Sequence, residues 1–227
     1  MSQPEAALLF AAGLGTRMRP LTDDRPKPLV EVAGKTLIDH ALELVTPLAL
    51  PRVVANAHYR GDMLAAHLNG SGVALSQEAP VVLETGGGLK QALPLLGPGP
   101  VFTLNTDAVW RGPNPLLALR DTWNADRMDA LLLCVPRAQV HGHKGKGDFL
   151  IGPDGRLSRG PGAVYSGLQI IKTEALAGID KQVFSMWELW QPMLEAGRMH
   201  GLAYDGEWCD VGYPQAVEIA EEMLANV

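Results

Sequence analysis

Leu9-Phe-Ala-Ala-Gly-Leu-Gly-Thr-Arg-Met-Arg-Pro-Leu-Thr-Asp-Asp-Arg-Pro-Lys-Pro-Leu29 is the stretch on which the reading of this chain turns. An apolar strand runs into a turn with two glycines, an arginine follows, and a lysine stands between two prolines. Gly13 and Gly15 leave room for backbone amides to close on an anion and can take a positive φ. Arg17 can fork onto two phosphate oxygens. Pro26 and Pro28 stiffen the chain around Lys27, which aims its charge. These residues describe a phosphate-binding turn, but neither of two well-known ones. A dinucleotide fingerprint needs a third glycine where Met18 stands. Gly34-Lys35-Thr36 imitates the end of a Walker loop, yet Leu29 occupies the position of its first glycine.

Outward from this turn, short apolar runs alternate with helical patterns, as in parallel βαβ units. Strands are expected at 6–11, 52–57, 73–76, 100–105, 130–135 and 164–171. Helices are expected at 36–45, 60–68, 88–96 (after a glycine turn), 115–123, 186–195 and 213–224. The uninterrupted apolar run Ala130-Leu-Leu-Leu-Cys-Val135 reads as a central strand. Residues 149–151 and 156–158 flank Gly152-Pro-Asp-Gly155 as a hairpin. Met186, Leu189, Trp190, Met193 and Leu194 fall on one helical face and read as core packing. Glu218, Glu221 and Glu222 form the solvated face of the last helix. Residues 141–147 read as a polar, mobile loop. His141 and His143 have no second Cys or His pair at zinc-site spacing.

The 227 residues, 47% of them hydrophobic, fit one sizeable α/β domain or two small ones. A net charge of −6 argues against a nucleic-acid surface, so the cations are concentrated locally, in Arg17, Arg19, Arg25 and Lys27. With only Cys134 and Cys209, the chain suits a reducing cytoplasm. The apolar stretch 6–12 has Glu5 before it and no basic flank, so it reads as a buried strand and not as a signal peptide. No run approaches the length of a membrane helix.

Ligands of open parallel sheets bind beyond the carboxyl ends of the strands. Gly13 to Arg17 follows the first strand and Asp107 follows the fourth, so both reach one rim. Asp210 precedes the last helix and offers a second carboxylate. Mg²⁺ takes one or two carboxylates together with substrate phosphate oxygens, and Asp107 and Asp210 suit it. Their alternative roles are a turn cap and a helix N-cap. In Glu84-Thr-Gly-Gly-Gly88, consecutive glycines let the backbone lie against a flat ring and its amides read a base edge; the alternative is a helix-capping turn.

Four motifs, Ala12 to Arg17, Pro20 to Thr22, Pro26 to Leu29 and Gly34 to Leu37, resemble the opening signature of the sugar-nucleotide pyrophosphorylases, or sugar-phosphate nucleotidyltransferases. The likeness extends over nearly the whole chain, where Trp208-Cys-Asp-Val-Gly212 matches a family element, and is greatest to the short N-acetylmuramate-1-phosphate uridylyltransferases. It implies a three-layer, Rossmann-like nucleotide-diphospho-sugar transferase fold with a mostly parallel mixed central sheet. It also implies a single catalytic domain over 1–227 without a C-terminal β-helix, as a monomer or homodimer. The reaction implied is attack by a sugar-1-phosphate oxygen on the α-phosphorus of a nucleoside triphosphate, with pyrophosphate leaving. UTP and the N-acetylmuramate 1-phosphate of cell-wall recycling are the implied substrates.

Carried over residue by residue, Arg17, Lys27, Asp107 and Asp210 are the catalytic residues. Arg17 would serve the β and γ phosphates and Lys27 the α-phosphate oxygens, while Asp107 and Asp210 hold Mg²⁺. The nucleotide would meet Ala11, Ala12, Gly13, Gly15, Thr16, Arg17, Lys27, Glu78, Thr85, Gly86, Gly87 and Asn105. Gln77 or Glu78 would lie beside the base, and Asp148, Ser166 and Gly167 at the sugar. Two departures stand out. Thr106 replaces the family's usual glycine before the aspartate, and Ser158-Arg-Gly-Pro161 replaces a Glu-Lys-Pro segment whose lysine holds the sugar phosphate, leaving Arg159 or Lys146 as substitutes. Mannose-1-phosphate guanylyltransferase, glucose-1-phosphate thymidylyltransferase, phosphocholine cytidylyltransferase and a non-catalytic nucleotide-sugar sensor stay open as alternatives.

Overall fold

In the computed structural model, which describes residues 3–225, β1 (Ala6–Phe10) feeds the glycine turn and a 3₁₀ turn at Thr16–Met18. A short hairpin of β2 (Glu31–Val32) and β3 (Lys35–Thr36) precedes α1 (Leu37–Val45) and β4 (Arg52–Ala57). Then come α2 (Gly61–His67), β5 (Ala74–Gln77), α3 (Glu84–Leu96), β6 (Val101–Asn105), β7 (Ala108–Arg111) and α4 (Pro115–Thr122). After β8 (Ala130–Val135) and β9 (Val140–His141), β10 (Phe149–Ile151) and β11 (Leu157–Arg159) make the expected hairpin. The chain continues through β12 (Val164–Ile171), α5 (Trp187–Glu195), β13 (Met199–Ala203), β14 (Glu207–Asp210) and α6 (Ala216–Ala225).

The central sheet has seven strands in the order β13-β8-β12-β6-β1-β4-β5. All neighbours run parallel except β12, which is antiparallel to both β6 and β8. The sheet is therefore mixed and mostly parallel, with β1 near its middle. Alternate residues of β1 serve opposite faces: Ala7 and Leu9 pack with α1, α2 and α4, while Ala6 and Leu8 pack with α3 and α5. Burial on both faces explains why β1 and β8 read as unbroken apolar runs. The stripe on α5 packs as expected: Met186, Leu189 and Met193 are core residues, with Trp190 and Leu194 against them.

A second sheet, β7-β14-β9, grows from the carboxyl rim two residues after β6 ends. With α6 it encloses a third core of Val30, Val32, Leu37, Val109, Cys209, Val211, Ala220 and Met223 around Met18, which is completely buried. The residue that breaks the dinucleotide fingerprint is thus the apolar anchor of the glycine turn. The acidic residues Glu218, Glu221 and Glu222 are exposed on α6. Two expectations are corrected. α3 begins at Glu84 and takes the glycines into its first turn instead of following them, and His141 belongs to a strand, paired with Cys209, and not to a loop.

Candidate active site

The turn after β1 is held open by its neighbours. Gly15 has φ +64°, and a Cβ there would lie 3.1 Å from the Thr22 methyl and 3.2 Å from Lys27 Cβ. Thr22 Oγ1 donates to the Gly15 carbonyl at 2.8 Å. At the turn's entrance, the amides of Ala11 and Ala12 donate to Asn56 Oδ1 at 2.6 and 3.2 Å. Met18 N returns to Gly15 O at 2.9 Å, and the amides in between, 13 to 17, have no hydrogen-bond acceptor among the described residues. Successive amides in such a turn form a concave anion site. Arg17 and Thr16 stand exposed along it.

Lys27, on its own 3₁₀ turn behind Pro26, is largely buried, and its ammonium donates to Asp107 Oδ2 at 2.8 Å. Asp107 is set by β6 and by Thr106, whose Oγ1 donates back to the Phe10 carbonyl at 2.9 Å. β14 brings the second carboxylate: Asp210 pairs with Ala108, and Val211 N donates to Asp107 O at 2.8 Å. Residues 80 and 103 positions apart in the chain thus meet at one rim, beside the glycine turn. Burial first, and the negative charge of Asp107 second, raise the Asp210 carboxyl above its usual range, while Lys27 and His143 pull the other way. A pair of crowded carboxylates of this kind fits a divalent cation, which relieves both desolvation and repulsion. No group of three His, Cys, Asp or Glu residues is gathered for a metal among the described residues. That donor set suits Mg²⁺, which takes few carboxylates and completes its shell from phosphate and water.

Lys27 and Asp107 divide two adjoining cavities. One contains the turn 13–18 and Gly212. The other is a cleft between β1, β6 and α3, lined by Ala11, Ala12, Gly13, Asn56, Glu78, Val82, Glu84, Thr85 and Asn105 among others. Of the expected nucleotide residues, all but Gly86 and Gly87 line one or other of these two cavities, and several do so differently from expectation.

Glu78 is 1% exposed and acts from behind the wall. Its carboxylate accepts from Asn56 Nδ2 at 2.7 Å and from Leu83 N at 2.8 Å. A Cβ on Gly88 would come within 2.7 Å of Glu78 Oε1 and 2.8 Å of Asn56 Nδ2. The amides of Gly86 and Gly87 are also not turned to a base edge: both donate to the Phe184 carbonyl at 3.0 Å. Their missing side chains make room for the segment 182–185, since Cβ atoms would lie 2.5 Å from the Phe184 ring and 2.2 Å from Gln182 O. Thr85, whose Oγ1 accepts from Met186 N at 2.9 Å, and Glu84 are the residues of this motif that line the cleft. Glu84 has φ +61°, a left-handed backbone uncommon for a residue with a side chain.

On the acceptor side, Ser166 is buried in a bulge of β12, where its hydroxyl donates to Leu133 O at 2.8 Å and accepts from Leu168 N, so both of its bonds are made within the fold. Gly167, with φ +86°, lies directly against the Asn105 side chain. Asp148 is exposed at the start of the hairpin, one oxygen accepting from Tyr165 N at 2.8 Å. Beyond it, Tyr165 and Trp190 meet edge to face at 4.9 Å, and the Arg159 guanidinium lies 4.6 Å over Trp187. Lys146 is exposed. Sequence reasoning missed Asn56, Glu84 and His143. His143 carried the one available signal, its place between Gly142 and Gly145, where close backbone approach is built in.

A family model described as the MobA-like NTP transferase domain matches residues 7–194. An N-acetylmuramate alpha-1-phosphate uridylyltransferase of Caulobacter vibrioides is 43% identical over 242 residues, covering 100% of both chains. A protein of the same description from Neisseria meningitidis serogroup B is 33% identical, over 91% of this chain and 92% of that one. Among solved structures, HddC from Yersinia pseudotuberculosis complexed with GMP-PN superimposes with a TM-score of 0.77 at 20% identity, over 97% of this chain and 99% of that one. The inositol-1-phosphate CTP transferase of T. maritima does so at 0.78 and 16%, over 100% and 98%; at these identities the likeness bears on the fold. Among the described residues, no helix is long and apolar enough to cross a membrane. The chain belongs to the MobA-like NTP transferase family and is a nucleotidyltransferase.

Proposed function

We propose that this enzyme transfers the uridylyl group of UTP to N-acetylmuramate α-1-phosphate, releasing pyrophosphate and forming a nucleotide sugar that re-enters cell-wall synthesis. The observation that carries the reaction class is the meeting of Lys27, Asp107 and Asp210 beside an amide-lined turn. The full-length likeness to the Caulobacter uridylyltransferase supports the substrates. No protein nucleophile is needed. The chain's task is to align two polyanions and hold charge that grows in the transition state.

The turn 13–17 and Arg17 bind the β and γ phosphates and retain them as pyrophosphate leaves. Lys27 sits between the two cavities, where the α-phosphorus must lie if base and triphosphate occupy them, and its ammonium holds the α-phosphate oxygens. Asp107 and Asp210 would hold Mg²⁺, which would supply charge neutralisation for the phosphates. Thr85, Glu84 and Asn105 face the base and ribose, while Asp148 and Gly167 border the acceptor sugar. The reading puts the enzyme in the cytoplasm, where the two buried thiols remain free.

The test is a grid of UTP, CTP, GTP and dTTP against the 1-phosphates of N-acetylmuramate, glucosamine, glucose and mannose, and phosphocholine. Pyrophosphate release is measured with and without Mg²⁺. Release is expected with UTP and N-acetylmuramate 1-phosphate, and only with the metal. Release with other pairs alone refutes the substrates, and none in any pair refutes the enzyme.

A further inference from the structure

The segment between β9 and β10 behaves as a strap laid over β14. β9 pairs in parallel with β14, matching Val140 with Trp208 and His141 with Cys209. Gly142 then takes φ +68° so closely over Asp210 that a Cβ would lie 2.3 Å from the Asp210 carbonyl. The next residue, His143, has Nδ1 3.4 Å from Asp210 Oδ2, and both side chains are mostly buried, at 26% and 23% exposed. The imidazole leans on Trp208, ring centres 6.0 Å apart. Gly145 closes over its far side, where a Cβ would lie 2.3 Å from Nε2, and Arg137 donates to the Gly145 carbonyl. Gly142 thus seats the strap on Asp210, and the ring is held between Gly145 and the Trp208 indole, with one nitrogen directed at the carboxylate. Gly212 bounds the same carboxylate, its would-be Cβ 3.1 Å from Asp210 Oδ1.

We propose that His143 is a positioning residue that fixes the Asp210 carboxylate for the divalent cation, so that the 142–145 strap sets the site's metal affinity. The inference rests on the reading of Asp107 and Asp210 as the cation's carboxylates. A hydrogen-bond donor on a ligating carboxylate selects its orientation before the metal arrives, and loss of such a partner typically weakens metal binding about 10- to 100-fold. With the Nδ1 proton donated to Oδ2, Oδ1 is presented on the side of Gly212 and the phosphate cavity. The remaining ring contacts, to Trp208 and Gly145, serve only to hold that orientation.

The experiment titrates Mn²⁺ into the full chain with a non-hydrolysable UTP analogue and reads free Mn²⁺ by electron paramagnetic resonance. The proteins compared are wild type, His143→Phe, His143→Gln, Gly145→Ala and Asp210→Asn. His143→Phe keeps a ring on Trp208 but has no donor, and is expected to weaken Mn²⁺ binding about 10- to 100-fold. His143→Gln, which retains a donor, recovers most of that loss. Gly145→Ala displaces the imidazole without altering it, and weakens binding in the same direction. In turnover assays the half-saturating Mg²⁺ concentration rises in His143→Phe far more than kcat at saturating Mg²⁺ falls, a split that a general loss of structure does not produce. Unchanged Mn²⁺ affinity in His143→Phe, alongside a loss in Asp210→Asn, overturns this inference alone. A wild type that binds no Mn²⁺ with the analogue overturns the carboxylate reading and this inference with it.

Discussion

Replacing Asn56 by alanine strikes the joint between the sheet and the phosphate turn. Asn56 is 3% exposed and serves three partners at once, accepting from Ala11 N and Ala12 N and donating to Glu78 Oε1. The two amide bonds are worth about 1 kcal/mol each, and the bond to the carboxylate about 1.5–3 kcal/mol. Truncation leaves every partner buried without its mate, so the loss is about 4 kcal/mol, a large share of the roughly 5–15 kcal/mol by which domains are stable. For a chain of this length that is a fall in Tm of roughly 8–16 °C. Urea unfolding followed by tryptophan fluorescence measures it. A cycle with Glu78→Ala isolates the pair: the double variant should lose at least about 1 kcal/mol less than the sum of the single losses. Nucleotide affinity should also fall, because the amides that open the turn lose their anchor. A loss below about 1 kcal/mol for Asn56→Ala, or strict additivity with Glu78→Ala, refutes the account of how the turn is held.

Asp107→Asn should lower kcat on the order of 10³-fold while the unfolding transition stays cooperative; near-normal turnover removes Asp107 from the site. Asp210→Asn should separate function from stability. The folded state raises the Asp210 carboxyl above its usual range, so between the usual and raised values the native protein holds a proton that the unfolded chain has released. Stability from this group is full below the usual range and is lost as pH rises through the raised value. The inactive Asp210→Asn protein should therefore melt above wild type at neutral pH, with the gap closing on acidification; calorimetry across pH checks the sign. Gly87→Ala, whose Cβ would meet Gln182 O at 2.2 Å, should cost roughly 1–3 kcal/mol in urea unfolding, although it alters no polar side chain. Burial pushes the Cys134 and Cys209 thiols up to about 12, so iodoacetamide at mildly alkaline pH should label neither until the protein is unfolded.

Periodicity carried the architecture well, because β1 and β8 are buried on both faces and so wrote themselves as apolar runs, and β4, β6 and β12 are mostly buried. Short elements were illegible: β7 and β14 pair mainly with each other and with β9, and their pattern mixes two tryptophans with charged residues that no single face explains. Asp107 could be named from its place after a strand and Asp210 from its place before the last helix, but their meeting depends on a register that sequence does not display. The glycines were visible and their purpose was not. A glycine permits approach by a ligand and by another segment alike, and at Gly86 and Gly87 the visitor is residues 182–185. Asn56 gave no signal beyond lying near a strand end, and Glu78 was named only through the family resemblance and for a different role, because a buried polar pair looks the same in sequence as a solvated one.

The joint between α3 and residues 182–186 bears on any attempt to exchange base preference between relatives. Two amides, one hydroxyl and two absent side chains of 85–87 are matched to that distant segment. A chimaera that imports a foreign first turn of α3 by itself would carry a mould without its cast. The transplantable module is discontinuous, 83–88 together with 182–186, and libraries that vary both halves in concert should yield folded variants where single-loop grafts do not.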